Sequence, residues 1–219
     1  MARCLDDYSW HSLKGYGSMA PLVFDVGDYK NVVLKDGTPA QFRIIGRNHD
    51  EAEDGSILPL TWEMVDCLPE RYRMNQQNTN RGNWGSSDLY YQMNDHSGKI
   101  YRLMPDDIIE VAEPVIKLTA ETHDRSNTIM RSVNKFFITS EKEVFGRNIY
   151  SAPGEGKWYE YYSMEDVPWY KLLNGERCSR WERSPYYDNS NNFCDVYSNG
   201  DMTAYSANRS LGLAPAFSF

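Results

Sequence analysis

The segment from Phe193 to Tyr205 alternates apolar and polar residues with a period of two, on either side of an Asn199-Gly200 pair. Such alternation is typical of a strand with one buried face, and an Asn-Gly pair between two such runs predicts a β-hairpin. The stretch therefore predicts an antiparallel sheet in the C-terminal part of the chain.

The distribution of apolar and polar residues between the two faces of this hairpin indicates the length of its turn. A two-residue turn at Asn199-Gly200 would pair Val196 with Thr203, which mixes apolar and polar residues on one face and is costly where that face is buried. A three-residue loop at 198–200 pairs Val196 with Met202 and places Gly200 where a positive φ is required. We therefore predict the three-residue register, in which the other pairs are Cys194 with Ala204, Tyr197 with Asp201, Asp195 with Thr203, and Phe193 with Tyr205.

One face of the predicted hairpin is apolar and should point into the core; it carries Cys194, Val196, Met202 and Ala204. The other face should point outward; it carries Phe193, Asp195, Tyr197, Asp201, Thr203 and Tyr205. A solvated sheet face is ordinary, but three aromatic residues on it favour a ligand-binding surface. The preceding loop, residues 186–192, contains only Tyr, Asp, Asn and Ser. These types dominate ordinary turns and also antibody-like binding loops.

Upstream, short strands alternate with short helices. An Asp36-Gly37 turn joins two apolar runs and predicts a second hairpin. Ser87 should cap a helix that carries Leu89 and Met93 on one face. Ser140 to Glu143 has the form of a capping box, for a helix that ends at Gly146. Residues 136–139 read as a strand. The pattern predicts one α+β domain over residues 1–219.

Composition excludes several classes of partner. The net charge is −8 and the sequence pI is about 5.0, which disfavours nucleic acid and anionic membrane surfaces because both require clustered Lys and Arg. No run of eighteen apolar residues is present, so membrane insertion is not expected. The first residues lack a continuous apolar stretch, so no signal peptide is expected.

The chemistry-bearing residues form no catalytic or metal-binding motif. The histidines, at positions 11, 49, 96 and 123, lack ligand spacing, and the acidic loop 48–55 lacks the alternation of a Ca²⁺ loop, which favours a solvated loop. Cys4, Cys67, Cys178 and Cys194 are widely scattered and are predicted to be reduced thiols, with a Cys178–Cys194 bridge as the alternative. We therefore predict a non-catalytic binding protein without metal or cofactor.

Several motifs carry a family resemblance. They are Trp181-x-Arg183-Ser184-Pro185, Phe193-x-x-Val196, Asn199-Gly200 and Gly212-x-x-Pro215-Ala216-Phe217, preceded by Arg43 to Gly46, Asn48-His49-Asp50, Trp84 to Ser87, Leu103-x-Pro105 and Ser140 to Gly146. In this order they resemble an uncharacterised domain family of gut bacteria and their phages. The chain departs from that pattern at Arg180, Glu182 and Leu213-Ala214.

That family is similar to the C-type-lectin-fold variable proteins of diversity-generating retroelements, which include phage receptor-binding proteins. The resemblance implies a single C-type lectin domain with its first and last strands close together, and a variable ligand-binding segment at 178–219. Variation in such proteins arises by mutating adenines in Asn codons, which reaches Tyr, Asp, Ser and Thr. Twelve positions here carry residues of that kind: Tyr186, Tyr187, Asp188, Asn189, Asn191, Asn192, Tyr197, Asn199, Asp201, Thr203, Tyr205 and Asn208.

The resemblance also implies a protein or glycan ligand on a host or neighbouring cell, a virion or bacterial location, and a possible homo-oligomer. Trp62, Trp84, Trp181 and Arg183 are expected to be scaffold, although Arg183 could instead contact ligand. Two alternatives stay open. One is an oxidase related to the formylglycine-generating enzymes, which share the fold and hold copper with two cysteines, for which Cys178 and Cys194 would be the candidates. The other is a purely structural virion or surface module.

Overall fold

Antiparallel strands and very short helices make up the computed structural model, which describes residues 2–122 and 128–219. The strands are β1 (Tyr29–Val33), β2 (Pro39–Arg47), β3 (Leu60–Met64), β4 (Tyr72–Arg73), β5 (Val115–Ala120), β6 (Ile129–Asn134), β7 (Lys171–Leu173), β8 (Glu176–Cys178), β9 (Arg180–Pro185), β10 (Asn192–Val196), β11 (Met202–Ser206), β12 (Ser210–Leu211) and β13 (Ala216–Ser218). The helices are α1 (Trp10–Gly15), α2 (Ala20–Val23), α3 (Asp88–Asn94), α4 (Asp106–Val111), α5 (Glu141–Phe145) and α6 (Glu160–Ser163). This is the α+β class predicted from the sequence.

The largest sheet has the order β1-β2-β3-β13, with every pair antiparallel. Its inner face packs in the main core, where the Trp10 ring meets the rings of Trp62 and Phe217 edge-on, with centroids 4.9 and 5.4 Å apart. The main core combines residues from Leu5 to Phe219. The first and last strands therefore share a sheet, but they form its opposite edges rather than lying side by side.

The C-terminal sheet has the order β11-β10-β9. The predicted hairpin register is confirmed at each pair, with Val196 opposite Met202 and Phe193 opposite Tyr205. The Tyr197 N–H donates to Asp201 O at 2.7 Å and closes a three-residue loop in which Gly200 has φ of 99°. The loop length and the place of the glycine follow from the sequence pattern alone.

The predicted outward face is wrong for two of its residues. Phe193 and Asp195 are fully buried, because β10 is the central strand and is covered on both faces. Phe193 belongs to the main core, and Val196 on the other face packs in a second cluster with Val144 and Tyr162. On β11, at the edge of this sheet, Tyr205 is exposed as predicted, but Met202 and Ala204, which were expected to be inward, are only half-buried, because an edge strand is less covered.

The local helix signals are confirmed. Ser87 accepts from Tyr90 N at the start of α3, and Ser140 and Glu143 form the complete capping box of α5. The helix ends at Gly146, which is left-handed with φ of 68°. The predicted strand at 136–139 is wrong: it forms only an isolated bridge, from Phe137 to Ala216. Within the described residues, no helix has the length and apolar character needed to cross a membrane.

Candidate ligand-binding surface

The twelve predicted site residues are exposed or half-buried, and none is fully buried. We call this set the C-terminal surface. It has two parts, the β10–β11 hairpin with its loop and the 186–192 loop, together with Asn208, which follows β11. The parts meet where the Ala207 N–H donates to Asn191 O at 2.8 Å, next to the Asn192–Ser206 pair. The structure therefore places both parts on one continuous stretch of chain around the edge of the C-terminal sheet.

Two tyrosines dominate the hairpin part. Tyr197 is 40% exposed and Tyr205 is 39% exposed, and neither hydroxyl makes a hydrogen bond within the described residues. The turn between them is locked by Asn199, whose side chain accepts from Asp201 N at 2.9 Å and donates to the Asp201 carboxylate at 2.7 Å. The hairpin thus presents tyrosine rings and hydroxyls on a fixed turn.

The loop part carries a small aromatic cluster. The rings of Tyr186 and Tyr187 lie edge-on with centroids 5.6 Å apart, and Tyr150 packs on Tyr186 at 5.4 Å. The Tyr187 N–H donates to Tyr150 O at 2.9 Å. Tyr150 was not predicted as a site residue, because it comes 36 positions before Tyr186 in the sequence and no local pattern connects them.

A buried asparagine fixes the 186–192 loop. Asn80 is fully buried, and its side-chain amide donates to the carbonyl oxygens of Asn189 at 2.7 Å, Asn192 at 2.9 Å and Tyr186 at 3.4 Å. Its own N–H donates to Ser190 O at 2.8 Å. Asn80 therefore satisfies main-chain acceptors along the whole loop and holds it in one conformation. Sequence reasoning missed this residue, which sits in a polar stretch with no motif.

A buried carboxyl group lies on β10, within the hairpin. Asp195 accepts from the Thr203 hydroxyl at 2.7 Å, while its second oxygen has no partner. Burial raises the pKa of Asp195 to about 7, against the opposing effects of Thr203 and Arg180. The neighbouring carboxyls are similar: burial raises the pKa of Glu155 to about 7 and that of Glu182 well above its ordinary value. These carboxyls bind protons more readily than exposed carboxyls do, and they belong to the scaffold beneath the surface.

A second buried polar group includes Arg183 of β9. We call Asp50, Lys117, Glu143, Tyr159 and Arg183 the interior charge cluster; all five are buried. Lys117 Nζ donates to Asp50 and to the Tyr159 hydroxyl, both at 2.7 Å. Burial opposes ionisation of Asp50, but Lys117 and His49 hold its pKa well below the ordinary value.

The same cluster holds the motif residue Arg183. Its guanidinium forms a two-pronged ion pair with Glu143 and also donates to Ile138 O at 2.9 Å and Glu155 O at 3.0 Å. Burial opposes ionisation of Glu143, but Arg183 and Lys117 lower its pKa. Arg183 is therefore part of the interior rather than a residue available to ligand.

Asp50 also joins distant parts of the chain. It accepts from the hydroxyls of Thr61 on β3 at 2.6 Å and Ser218 on β13 at 2.7 Å. A cavity of about 130 Å³ borders this cluster and is lined by His49, among others. The His49 ring stacks on Tyr159 with centroids 3.9 Å apart. Because the charged groups of the cluster already pair with one another, we interpret the cluster as a structural element that joins distant parts of the chain.

The predicted scaffold tryptophans are all fully buried. The Trp181 indole donates to Tyr72 O at 2.7 Å, and the Trp84 indole donates to Asn134 Oδ1 at 2.7 Å. Both rings sit in the main core together with Trp62. The residues that carry the sequence motifs at Trp84 and Trp181 thus build the interior on which the C-terminal surface rests.

The four cysteines are free thiols, and the alternative Cys178–Cys194 bridge is not formed. Cys178 contacts Cys67 rather than Cys194, with the two sulfurs 3.5 Å apart. Cys194 is buried among carboxyl groups, and burial together with Glu141 and Glu182 raises its pKa well above the ordinary value. Among the described residues, no three or more His, Cys, Asp and Glu side chains converge to hold a metal ion. His123 lies outside the described residues.

Comparison with known proteins gives one match. Neither the curated proteins nor the solved structures include a match to this chain. A family described as Domain of unknown function (DUF6273) matches residues 54–219, which cover the C-terminal surface, the interior charge cluster except Asp50, and β3 to β13. The chain therefore belongs to the DUF6273 family.

Proposed function

We propose that this domain is a non-catalytic binding protein and that the C-terminal surface is its ligand site. The observation that carries the proposal is the contrast within one hairpin. Tyr197 and Tyr205 are exposed on a turn and an edge strand, while the adjacent strand β10 is buried on both faces. Exposed aromatic residues on a preorganised base bind with little loss of conformational entropy.

The finer identity is a C-type-lectin-fold protein related to the variable proteins of diversity-generating retroelements, such as phage receptor-binding proteins. Short helices around antiparallel sheets support this reading. The ligand would be a protein or glycan on a host or neighbouring cell. Finding a near-repeat of the final coding segment beside a reverse transcriptase gene supports the retroelement origin, and its absence across the gene's neighbourhood contradicts it.

Binding is tested on glycan and cell-surface protein arrays with the wild type and with Tyr197→Ala and Tyr205→Ala. If the tyrosines are central anchors, each truncation costs about 2 kcal/mol, or roughly 30-fold in affinity. Tyr91→Ala is the matched control, because Tyr91 is 54% exposed on α3, outside the surface. Equal loss in all three variants, or binding unchanged in both site variants, contradicts the proposal.

A further inference from the structure

Cys67 and Cys178 are 111 residues apart in sequence, yet their sulfur atoms lie 3.5 Å from each other. Cys67 follows β3, and its N–H donates to Leu172 O on β7 at 2.8 Å. Cys178 ends β8 and pairs with Lys171 across the β7–β8 hairpin. Backbone hydrogen bonds therefore hold both cysteines against the same short hairpin.

A glycine makes room for this contact. A Cβ atom at Gly212 would lie 2.8 Å from each of the two sulfurs. The Gly212 N–H donates to Ser179 O at 2.8 Å, which keeps the glycine backbone against the residue after Cys178. The two sulfurs thus meet over a bare stretch of backbone with no side chain between them.

The two thiols differ in acidity. Contact with Cys67 lowers the pKa of Cys178, and Arg71 and Arg180 act in the same direction. Contact with Cys178, together with burial, raises the pKa of Cys67 well above the ordinary value. Since the thiolate is the nucleophile, this direction favours Cys178 as the attacking sulfur.

Both sulfurs are shielded from bulk solvent. Cys67 is 8% exposed and lines a surface cavity of about 300 Å³, and Cys178 is 2% exposed. Burial of both sulfurs favours a small oxidant such as hydrogen peroxide over a bulky disulfide such as oxidised glutathione.

We propose that Cys67 and Cys178 form a peroxide-oxidisable dithiol that closes to an intramolecular disulfide. The Cys178 thiolate attacks one oxygen of hydrogen peroxide, the O–O bond breaks, and the departing hydroxide takes a proton to become water. Cys67 sulfur then attacks the Cys178 sulfenic acid, the S–O bond breaks, and the second hydroxide leaves as water with the Cys67 proton. Two thiols and one peroxide give one disulfide and two waters.

Closure would fasten two parts of the fold together. Cys67 lies three residues after β3 of the large sheet, and Cys178 is separated only by Ser179 from β9, the strand that leads to the 186–192 loop. A covalent link across such a long loop restricts the unfolded chain strongly. We expect the oxidised protein to melt roughly 5–15 °C higher than the reduced protein.

The test uses a Cys4→Ser background, because Cys4 is exposed and would otherwise react separately. After treatment with hydrogen peroxide, the intact mass should fall by two hydrogen atoms, and non-reducing digestion should yield a peptide that joins Cys67 to Cys178. The melting temperature should rise and return on reduction. A link from Cys178 to Cys194, or both Cys67 and Cys178 still alkylated after denaturation, overturns the proposal.

Two cysteine variants test separately whether the bridge requires Cys67 and not Cys194. Cys67→Ser should leave Cys178 without its partner, so that peroxide adds oxygen to Cys178 instead of removing two hydrogens. Cys194→Ala is the matched control and should keep the bridge and the shift in melting temperature. If Cys67→Ser does not fold, the peptide map of the Cys4→Ser protein alone decides the question.

Discussion

The interior charge cluster and the C-terminal surface use the same kinds of side chain in opposite ways. In the interior, Asp50 and Tyr159 are buried and bonded to each other and to Lys117. At the surface, Tyr197 and Asp201 are exposed; the Asp201 carboxylate accepts from Asn199, whereas the Tyr197 hydroxyl makes no hydrogen bond within the described residues. Polar groups that are satisfied internally stabilise and orient the fold, whereas those left open at the surface are free to meet a ligand.

The largest expected effect is in the interior. Arg183→Met should lower the free energy of unfolding by about 3–5 kcal/mol, because it leaves Glu143 as a buried charge without its main partner. Urea denaturation measures the loss. Arg131→Met is the matched control: Arg131 pairs with Glu51 at 3.4 Å on the surface, and such a pair contributes at most about 1 kcal/mol. Similar losses in the two variants would contradict the distinction between interior and surface.

Trp181→Ala tests the apolar part of the same interior. Trp181 is fully buried, and its indole N–H is bonded to Tyr72 O. Truncation of a buried Trp typically costs about 3–5 kcal/mol. A variant that melts like the wild type would show that Trp181 is not part of the scaffold.

An intermediate effect is expected at the junction of the two regions. Asn80→Ala removes the donors to three loop carbonyls and should cost about 1–3 kcal/mol, because buried acceptors are left unpaired. Hydrogen exchange should also accelerate in residues 186–192. The control Asn208→Ala, at an exposed position, should change neither quantity. An Asn80→Ala protein with normal exchange in the loop would show that the loop is held by something else.

The buried carboxyl group of Asp195 on β10 should make the stability of the protein depend on pH. The pKa of Asp195 is raised to about 7 in the folded protein, above the value of about 3.9 expected when unfolded. Its contribution to stability is therefore full below about pH 4 and is lost as the pH rises to 7 and above. Asp195→Asn keeps an acceptor for Thr203 but cannot ionise.

Accordingly, the melting temperature of Asp195→Asn relative to the wild type should rise between pH 5 and pH 8. The melting temperature of the variant itself should still fall with rising pH, though less steeply than that of the wild type, because the pKa of Glu155 is also raised to about 7. A relative melting temperature that stays constant over this range would mean that Asp195 ionises normally in the folded protein.

The smallest effect on stability is expected at the surface itself. Tyr197→Ala and Tyr205→Ala should each stay within about 0.5 kcal/mol of the wild type, since exposed side chains outside special contacts contribute little. Thermal melts measure this without any ligand. A loss of 2 kcal/mol or more in either variant (roughly the cost of a buried contact) would assign that tyrosine to the scaffold.

Sequence reasoning succeeded where the deciding interactions are local. The three-residue loop at Gly200 and the capping box from Ser140 to Glu143 follow from neighbours a few positions apart. It failed for Phe193 and Asp195, because alternation along one strand does not reveal that the main core packs against the face that carries Phe193.

Contacts between distant segments were also beyond reach. Asn80 holds a loop more than 100 residues further along the chain, and Cys67 meets a partner 111 residues away. Cys178 was considered only with Cys194, its nearest cysteine in sequence. Nothing in the residues around these positions indicates the pairing, since it is created when the separate sheets pack together.

The Asn80 amide has a consequence for how this protein can change over generations. The three atoms that it contacts are carbonyl oxygens of the main chain at positions 186, 189 and 192, which every amino acid possesses. The hydrogen bonds from Asn80 therefore do not depend on which side chains occupy the loop. Substitutions at these positions can alter what the protein recognises while the same hydrogen bonds keep the loop in place, so specificity can drift without a matching loss of fold.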